Sequence, residues 1–403
     1  MSDVLSDGQD VVVSSFKEGA YNLDAFERLR TSQPRLDFEF NAFHDILFSS
    51  IRQYFAKTEA NGATITHSNT TKSYTLASGT TSGALAVAQQ RFYNKYQPAR
   101  SQVVFLTFLL GSGVANTRKR IGYFDSLDGI YLEQDGTTAS INLRNSVTGT
   151  TTTIPQSSWE VEAQAIDFTK TQILVIDFQW LGVGRVRVGF EIDGRFILAT
   201  QINNSNVNTN LYILSGSLPV RYEIQNTAAS AGSSFQFYCG SVISEGGNDF
   251  SDTFGTIFSA ETATAGKSIG TTRVPLLAIR PKATFLSTTN YTRIIPSLVS
   301  YFSETRDSEY TLYYAPTLTN ASWVSANAES AVEYDISATA FTGGRQIATF
   351  FSDSAESGLN TIPQIEILSV DIASVQPVFL IASRTLANNS ATRASISWKE
   401  IYR

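Results

Sequence analysis

Two histidines, His44 and His67, and one cysteine, Cys239, carry all the imidazole and thiol chemistry of this 403-residue chain. A catalytic triad needs one of those histidines as a base held beside a nucleophile. His44 falls in a stretch with helical spacing and His67 in a threonine-rich hairpin, and neither sits beside a nucleophile in sequence context. The same scarcity excludes a histidine-rich zinc site, which Cys239 does not restore. Asp125, Asp128 and Asp135 cluster around turns, where hard oxygen ligands would suit calcium. Asp128-Gly129 and Asp135-Gly136 give the same pattern as plain turns, and that reading is preferred. Glu160 with Glu162, and Glu191 with Asp193, share strand faces. Such pairs suit glycoside hydrolysis, but these positions read as solvent-facing. Gly182-x-Gly184 with Gly189 has the glycines of a nucleotide loop without the helix that must follow one. Arg118-Lys119-Arg120 is a short basic run, read as a loop suited equally to a neighbour's carboxylate or to phosphate. Of the four tryptophans, strand positions read as core, and Trp159, in a Pro-Gln-Ser-Ser-Trp turn, is read as exposed. Trp159 with Asn203, Asn204 and Asn206 forms the candidate sugar-binding surface. The expectation is a chain with no catalytic residues, metal or cofactor.

These residues hang on strands. Val186, Val188, Phe190 and Ile192 alternate with Arg185, Arg187, Gly189 and Glu191, the period of a half-buried strand. Asp193-Gly194 supplies two residues that tolerate positive φ in a type I′ turn, and Gly182 and Gly184 close the other end. The spacing predicts a three-stranded antiparallel meander over 171–198. Its first strand, Ile173–Trp180, is almost wholly apolar and is expected to lie centrally. Val220, Tyr222 and Ile224 are expected to face inward from another strand.

The N-terminal region has a different texture. Residues 1–20 lack periodicity and read as an arm, which orders only against something else. Asn22 or Asp24 caps a predicted short helix through Arg30, with Phe26 and Leu29 on its apolar side. A second helix is predicted from about Phe40 to Ala56, because Phe43, Leu47, Ile51 and Phe55 recur at spacing four. An exposed stripe of that kind must be covered, so these six apolar residues form the candidate docking surface for a partner.

Composition bounds the rest. The chain is 42% hydrophobic and 16% charged, with 26 Phe, 17 Tyr and a net charge of −6. Short apolar runs separated by Ser, Thr, Asn and Gly point to a mainly β protein. Nothing in the charge marks a nucleic-acid partner. No apolar run approaches the roughly 20 residues of a membrane-spanning helix. Strands at roughly ten-residue spacing indicate β-sandwich or jelly-roll domains. The predicted organisation is an arm with docking helices over 1–58, a jelly-roll or concanavalin-like β-sandwich over 59–248, and a second β-sandwich over 249–403.

Several segments together resemble a known family. They are Ala25-Phe26-Glu27-Arg28-Leu29-Arg30 with Ser32-Gln33-Pro34, Tyr96-Gln97-Pro98 with Ser101-Gln102, and the runs Arg120 to Asp125, Asp177 to Phe190, Leu218 to Ile224, Ser241 to Gly247 and Ile279 to Pro281. The family comprises virion structural proteins of tailed bacteriophages, with similar sequences in some large DNA viruses. Glu27 stands where a glycine is usual, and Leu36 to Asp45 matches poorly. The resemblance implies a non-catalytic component of the head, neck or tail, located in the virion and assembled in the host cytoplasm. Its expected partners are other virion proteins and further copies of itself, as a trimer or ring. The alternative is a lectin-like protein that recognises host surface glycans.

Overall fold

The computed structural model describes residues 5–6, 11–12, 23–25, 28–31, 33–49, 54–246, 255–362 and 368–402. The protein is mainly β, built of antiparallel sheets. Among the described residues the helical elements are a 3-10 turn, Gln156–Ser158, and one turn of α-helix, Val161–Gln164. The chain divides into two compact units. The first takes residues 1–49, 57–90 and 94–248, and the second takes 50–56, 91–93 and 249–403.

The first unit is a sandwich of a seven-stranded and an eight-stranded sheet. In spatial order the seven-stranded sheet runs Thr150–Pro155, Thr138–Asn145, Gly129–Asp135, Thr117–Phe124, Val220–Asn226, Leu85–Gln90 and Phe55–Ala60. The eight-stranded sheet runs Arg195–Ile202, Val186–Ile192, Gln172–Phe178, Gln102–Leu109, Ser234–Ser244, Ser73–Ala77 and Thr64–Ser68, with Arg35–Asn41 also pairing with Ser234–Ser244. Alternation decides the faces. Val104, Leu106, Phe108, Leu174, Ile176, Phe178, Val186, Val188 and Phe190 turn inward from one sheet and are buried. Ile121, Tyr123, Ile130, Leu132, Val220, Tyr222 and Ile224 meet them from the other. Tyr222 stacks on Phe237 at 4.2 Å between ring centres, and Tyr123 lies 5.7 Å from Phe178.

The predicted meander forms as expected. Gln172–Phe178 lies between Gln102–Leu109 and Val186–Ile192, and the last pairs with Arg195–Ile202. Asp193 and Gly194 have φ of 50° and 76°, the two positive values of the expected turn.

Among the described residues, neither predicted helix forms. Leu23 and Leu29 instead make an isolated antiparallel bridge. Residues 35–41 form a strand with Phe38 and Phe40 inward, bends and turns follow through 49, and Phe55 begins another strand. Of the residues at spacing four, Phe43 and Leu47 therefore lie in bends and turns and Phe55 begins a strand, while Ile51 lies outside the described residues. Arg35 to Asn41 alternates at period two, and an open sheet edge satisfied its backbone groups better than an aromatic-rich helix. The basic run also lies on a strand, not a loop. Arg118 and Arg120 point outward, while the buried Lys119 points inward and donates to the carbonyls of Leu110 and Ser112 at 2.6 and 2.9 Å.

The second unit holds a five-stranded sheet of Thr256–Glu261, Ser390–Ile401, Arg293–Ser303 and Ser357–Thr361, with Lys267–Ile269 also on Ser390–Ile401. Its six-stranded sheet runs Val324–Ser325, Val332–Asp335, Val274–Pro281, Phe379–Thr385, Ser308–Tyr314 and Arg345–Ser352. Leu277, Ile279, Val299, Leu312, Ile396 and Trp398 lie in one buried core. Pro275 and Pro296 sit at register shifts, where a missing N–H does least harm.

Candidate docking site

Asp177 is the one acidic break in the apolar strand Gln172–Phe178. The register places Arg187 directly opposite it on the outer face of the eight-stranded sheet. Both side chains are buried, so each charge needs a partner. Asp177 Oδ2 accepts from Arg187 Nη2 and, at 2.7 Å, from Arg30 Nη2. Asp177 Oδ1 accepts from Ser101 Oγ at 2.6 Å. The same arginines reach the N-terminal segment. Arg187 Nη2 and Arg30 Nε donate to the Leu23 carbonyl at 2.7 and 3.1 Å, and Arg185 Nε donates to the Ala25 carbonyl at 2.6 Å. These bonds commit the Leu23 and Ala25 carbonyls to arginine side chains and not to the backbone N–H groups a helix would offer them.

A second layer closes over this clamp. Asp24 accepts from the Arg28 backbone N–H at 2.8 Å and from Arg28 Nε at 2.6 Å. Arg28 Nη2 also donates to the Ala99 carbonyl at 3.1 Å. Glu245 lies 3.6 Å from Arg28 and 3.5 Å from Arg30. Burial pushes the Glu245 carboxyl up and Asp24 adds to the push, against the pull of Arg30 and Arg28. A polar hollow of about 410 Å³ opens here, lined by Asp24, Arg28, Arg30, Arg100 and Glu245 among others. The arrangement offers fixed charges tied by many hydrogen bonds, and its buried hydroxyl, Ser101 Oγ, donates to an Asp177 carboxylate already paired with two guanidiniums. Its chemistry is that of a fastener, which holds residues 23–31 against the sheet.

The expected docking residues do not share one stripe. Phe26 and Ile51 lie outside the described residues. Leu29 and Phe43 are exposed, at 47% and 55%, and the Lys72 ammonium sits 4.6 Å above the Phe43 ring. Leu47 and Phe55 are buried. They belong to the folded body, Leu47 in the turns that follow Arg35–Asn41 and Phe55 at the start of Phe55–Ala60.

The expected sugar surface also changes. Trp159 is only 2% exposed, against Phe168 and Phe190, with Nε1 donating to the Ile154 carbonyl at 3.0 Å. The 3-10 turn rolls the indole inward, so Trp159 closes the core and offers no platform. Asn204 is buried, donates to the Gly184 carbonyl at 2.7 Å and accepts from Asn208 at 3.0 Å. Asn203 accepts from Gln201, and Asn206 takes a φ of 60° at the bend. Asn203, Asn204 and Ser205 line a cleft of about 450 Å³ with Leu181, Val183 and Arg185.

The acidic candidates are occupied too. Asp125 accepts from the N–H groups of Leu127 and Asp128, Asp128 from Ser146, and Asp135 from Arg118. Among the described residues, no group of three or more His, Cys, Asp or Glu is placed to hold a metal ion. Sequence reasoning missed a network on the outer face of the seven-stranded sheet. There Arg120 bonds Glu133 and Glu223, both at 2.5 Å, while Arg221 bonds Glu223 and, at 2.7 Å, Gln89. Burial alone would raise the Glu223 carboxyl, yet Arg221 and Arg120 outweigh it and hold it below the ordinary range. The polar positions of four neighbouring strands were the available signal, legible only once their register was known.

No protein-family model matches the chain, and no curated protein matches it. Similar solved structures include the carbohydrate recognition domain of Emp47p, at 12% identity over 52% of this chain and 96% of that one, with a TM-score of 0.33. A putative beta-glucanase from Mycobacterium abscessus is 8% identical over 52% of this chain and all of the other, 100%, with a TM-score of 0.38. A protein of unknown function from Shewanella oneidensis MR-1 is 10% identical over 56% and 90%, with a TM-score of 0.35. At these scores the likeness assigns no activity to this chain.

Proposed function

We propose that this chain is a non-catalytic structural protein of a tailed-phage particle, set into its assembly through the N-terminal region. The observation that carries the reading is a convergence. Arg28 and Arg30, Ser101, the Asp177 to Arg187 run, and Glu245 come from four separated segments of the family resemblance, and they meet in one clamp. Residues that recur together for a structural purpose are expected to meet in that way. The non-catalytic part is supported by Glu223 and Glu133, two carboxylates that share the Arg120 guanidinium. Glycoside hydrolysis needs one carboxyl kept protonated, whereas Arg120 bridges both and Glu223 is held ionised.

Deletion of residues 1–22 is the test, because it spares the clamp and the Arg35–Asn41 strand. The shortened protein should keep its β-type circular dichroism and fail to enter particles when supplied in place of the full chain. Normal incorporation would sink the anchoring role. Glycan recognition is the second reading, supported by the cleft beside Asn203 and Ser205. It predicts glycan-array binding by the purified chain that is lost in Asn203→Ala, and a blank array rejects it.

A further inference from the structure

The outer face of the eight-stranded sheet holds a further cavity beside the clamp. Val104 and Leu106 turn inward from Gln102–Leu109, so Val103 and Phe105 turn outward. Val103 faces Ile243 across the ladder. Phe190 turns inward from Val186–Ile192, so Glu191 turns outward. Pro34 and Arg30 approach from the N-terminal segment, and Ser244 and Glu245 stand at the end of Ser234–Ser244. Together these residues line a cavity of about 320 Å³, the size of a small-ligand pocket.

Its walls are apolar, from Pro34, Val103, Phe105 and Ile243, and its polar side chains are two carboxylates, one hydroxyl and one guanidinium. Glu191 Oε2, Ser244 Oγ and Glu245 Oε1 are each buried, and none has a hydrogen-bond partner among the described residues. Ser244 as a whole is only 2% exposed. Of the two cavities described above, one holds the same Glu245 oxygen and the other holds no such atom. Among the described lining residues Arg30 is the only cation, and it is shared between Asp177 at 2.7 Å and Glu245 at 3.5 Å. Glu191 therefore has no cation in this cavity. A buried carboxylate oxygen without a donor costs free energy, which a nearby cation recovers. A ligand that fits must bring positive charge and hydrogens to the acceptors and an apolar stem to the walls. An anion would meet two carboxylates, and a plain hydrocarbon would leave three acceptors unmet.

We infer that the cavity is a binding site for an alkylammonium, a primary amine on an unbranched aliphatic stem. An ammonium is compact and carries three rotatable donors, which suits acceptors on three separate residues. A guanidinium presents its donors as a planar fork, which suits a single carboxylate. The same chemistry comes as a free aliphatic amine or as a lysine side chain of another protein. The inference stands on Glu191, Ser244, Glu245 and the apolar walls between them, and it does not rest on the particle reading.

Isothermal titration calorimetry of the full-length protein tests it, with hexylammonium as the probe and hexanol as its uncharged counterpart. The native chain should bind hexylammonium saturably with a Kd of about 1 mM or tighter, and hexanol at least about tenfold more weakly. Glu191→Gln keeps the shape and removes the charge. It should bind hexylammonium at least about tenfold more weakly yet melt at or above the native temperature, because it sheds an uncompensated carboxylate. Glu261→Gln, at an exposed carboxylate of the second unit, is the control and should bind as the native chain does. N-acetyl-lysine methylamide separates the sources. Its uptake supports the site as a lysine pocket, and uptake of hexylammonium alone supports it as a site for a free amine. A native chain that takes up neither overturns the inference. So does hexanol binding as tightly as hexylammonium, which leaves only an apolar hollow. A Glu191→Gln variant that binds as the native chain does, or that melts several degrees lower, overturns it as well.

Discussion

At the scale of single residues, Asp177 and Lys119 show how burial is made tolerable in two different ways. Asp177 neutralises two guanidiniums at once, so Asp177→Asn would leave the buried Arg187 without its anion and Arg30 with Glu245 alone. A loss of about 3–5 kcal/mol is expected in urea unfolding, the range for breaking one side of a buried pair. Lys119 has two carbonyl acceptors and no anion, and burial pushes its ammonium down to about 8 from the ordinary 10.5. The folded chain therefore sheds this proton before the unfolded chain does. Stability should carry its full penalty below pH of about 8 and rise from there towards pH of about 10, above which tyrosine ionisation intervenes. The slope contributed by Lys119 is at most about 1.4 kcal/mol per pH unit. Thermal melts across that window should show the rise in the native protein and a flatter profile in Lys119→Met.

At the scale of elements, the strands of the central meander were readable because their alternation, their turn residues and their burial all agree. The Asp193-Gly194 turn fixes the register on one side, and Gly182 and Gly184 fix it on the other. The helix predicted from about Phe40 to Ala56 was a misreading because two periods meet where it begins. Phe38 and Phe40 keep period two, while Phe43, Leu47, Ile51 and Phe55 keep period four, and only the sheet edge decides between them. The difference is measurable. Phe40→Ala should cost about 3–5 kcal/mol as a core truncation, and Phe43→Ala, on the exposed turn, should stay within about 0.5 kcal/mol. A large effect at Phe43 with none at Phe40 would restore the docking helix. Trp159 was misread for a related reason. Its polar neighbours Gln156, Ser157 and Ser158 describe the turn, whereas the indole answers to Phe168 and Phe190, which are near in space. Trp159→Ala should therefore unfold the protein more readily, at a cost of about 3–5 kcal/mol, and not merely blunt a surface. The Asp177 clamp was half legible. The acidic break in an apolar strand was visible, but its partners lie on segments whose meeting depends on the whole sheet.

At the scale of the molecule, the clamp ties Arg30 to a residue 147 positions later in the chain. Synthesis runs from the N-terminus, and contacts of such separation close only after the intervening chain has been made. Residues 23–31 therefore emerge early and wait. Leu23 and Ala25 find their arginines only when the meander around Asp177 has paired, and Glu245 completes the layer at the very end of the first unit. A molecule that is truncated or stalled within the first sandwich has its N-terminal segment unset. Only a molecule whose first unit is finished holds it in the set position, so the fastening is also a mark that the first sandwich has closed.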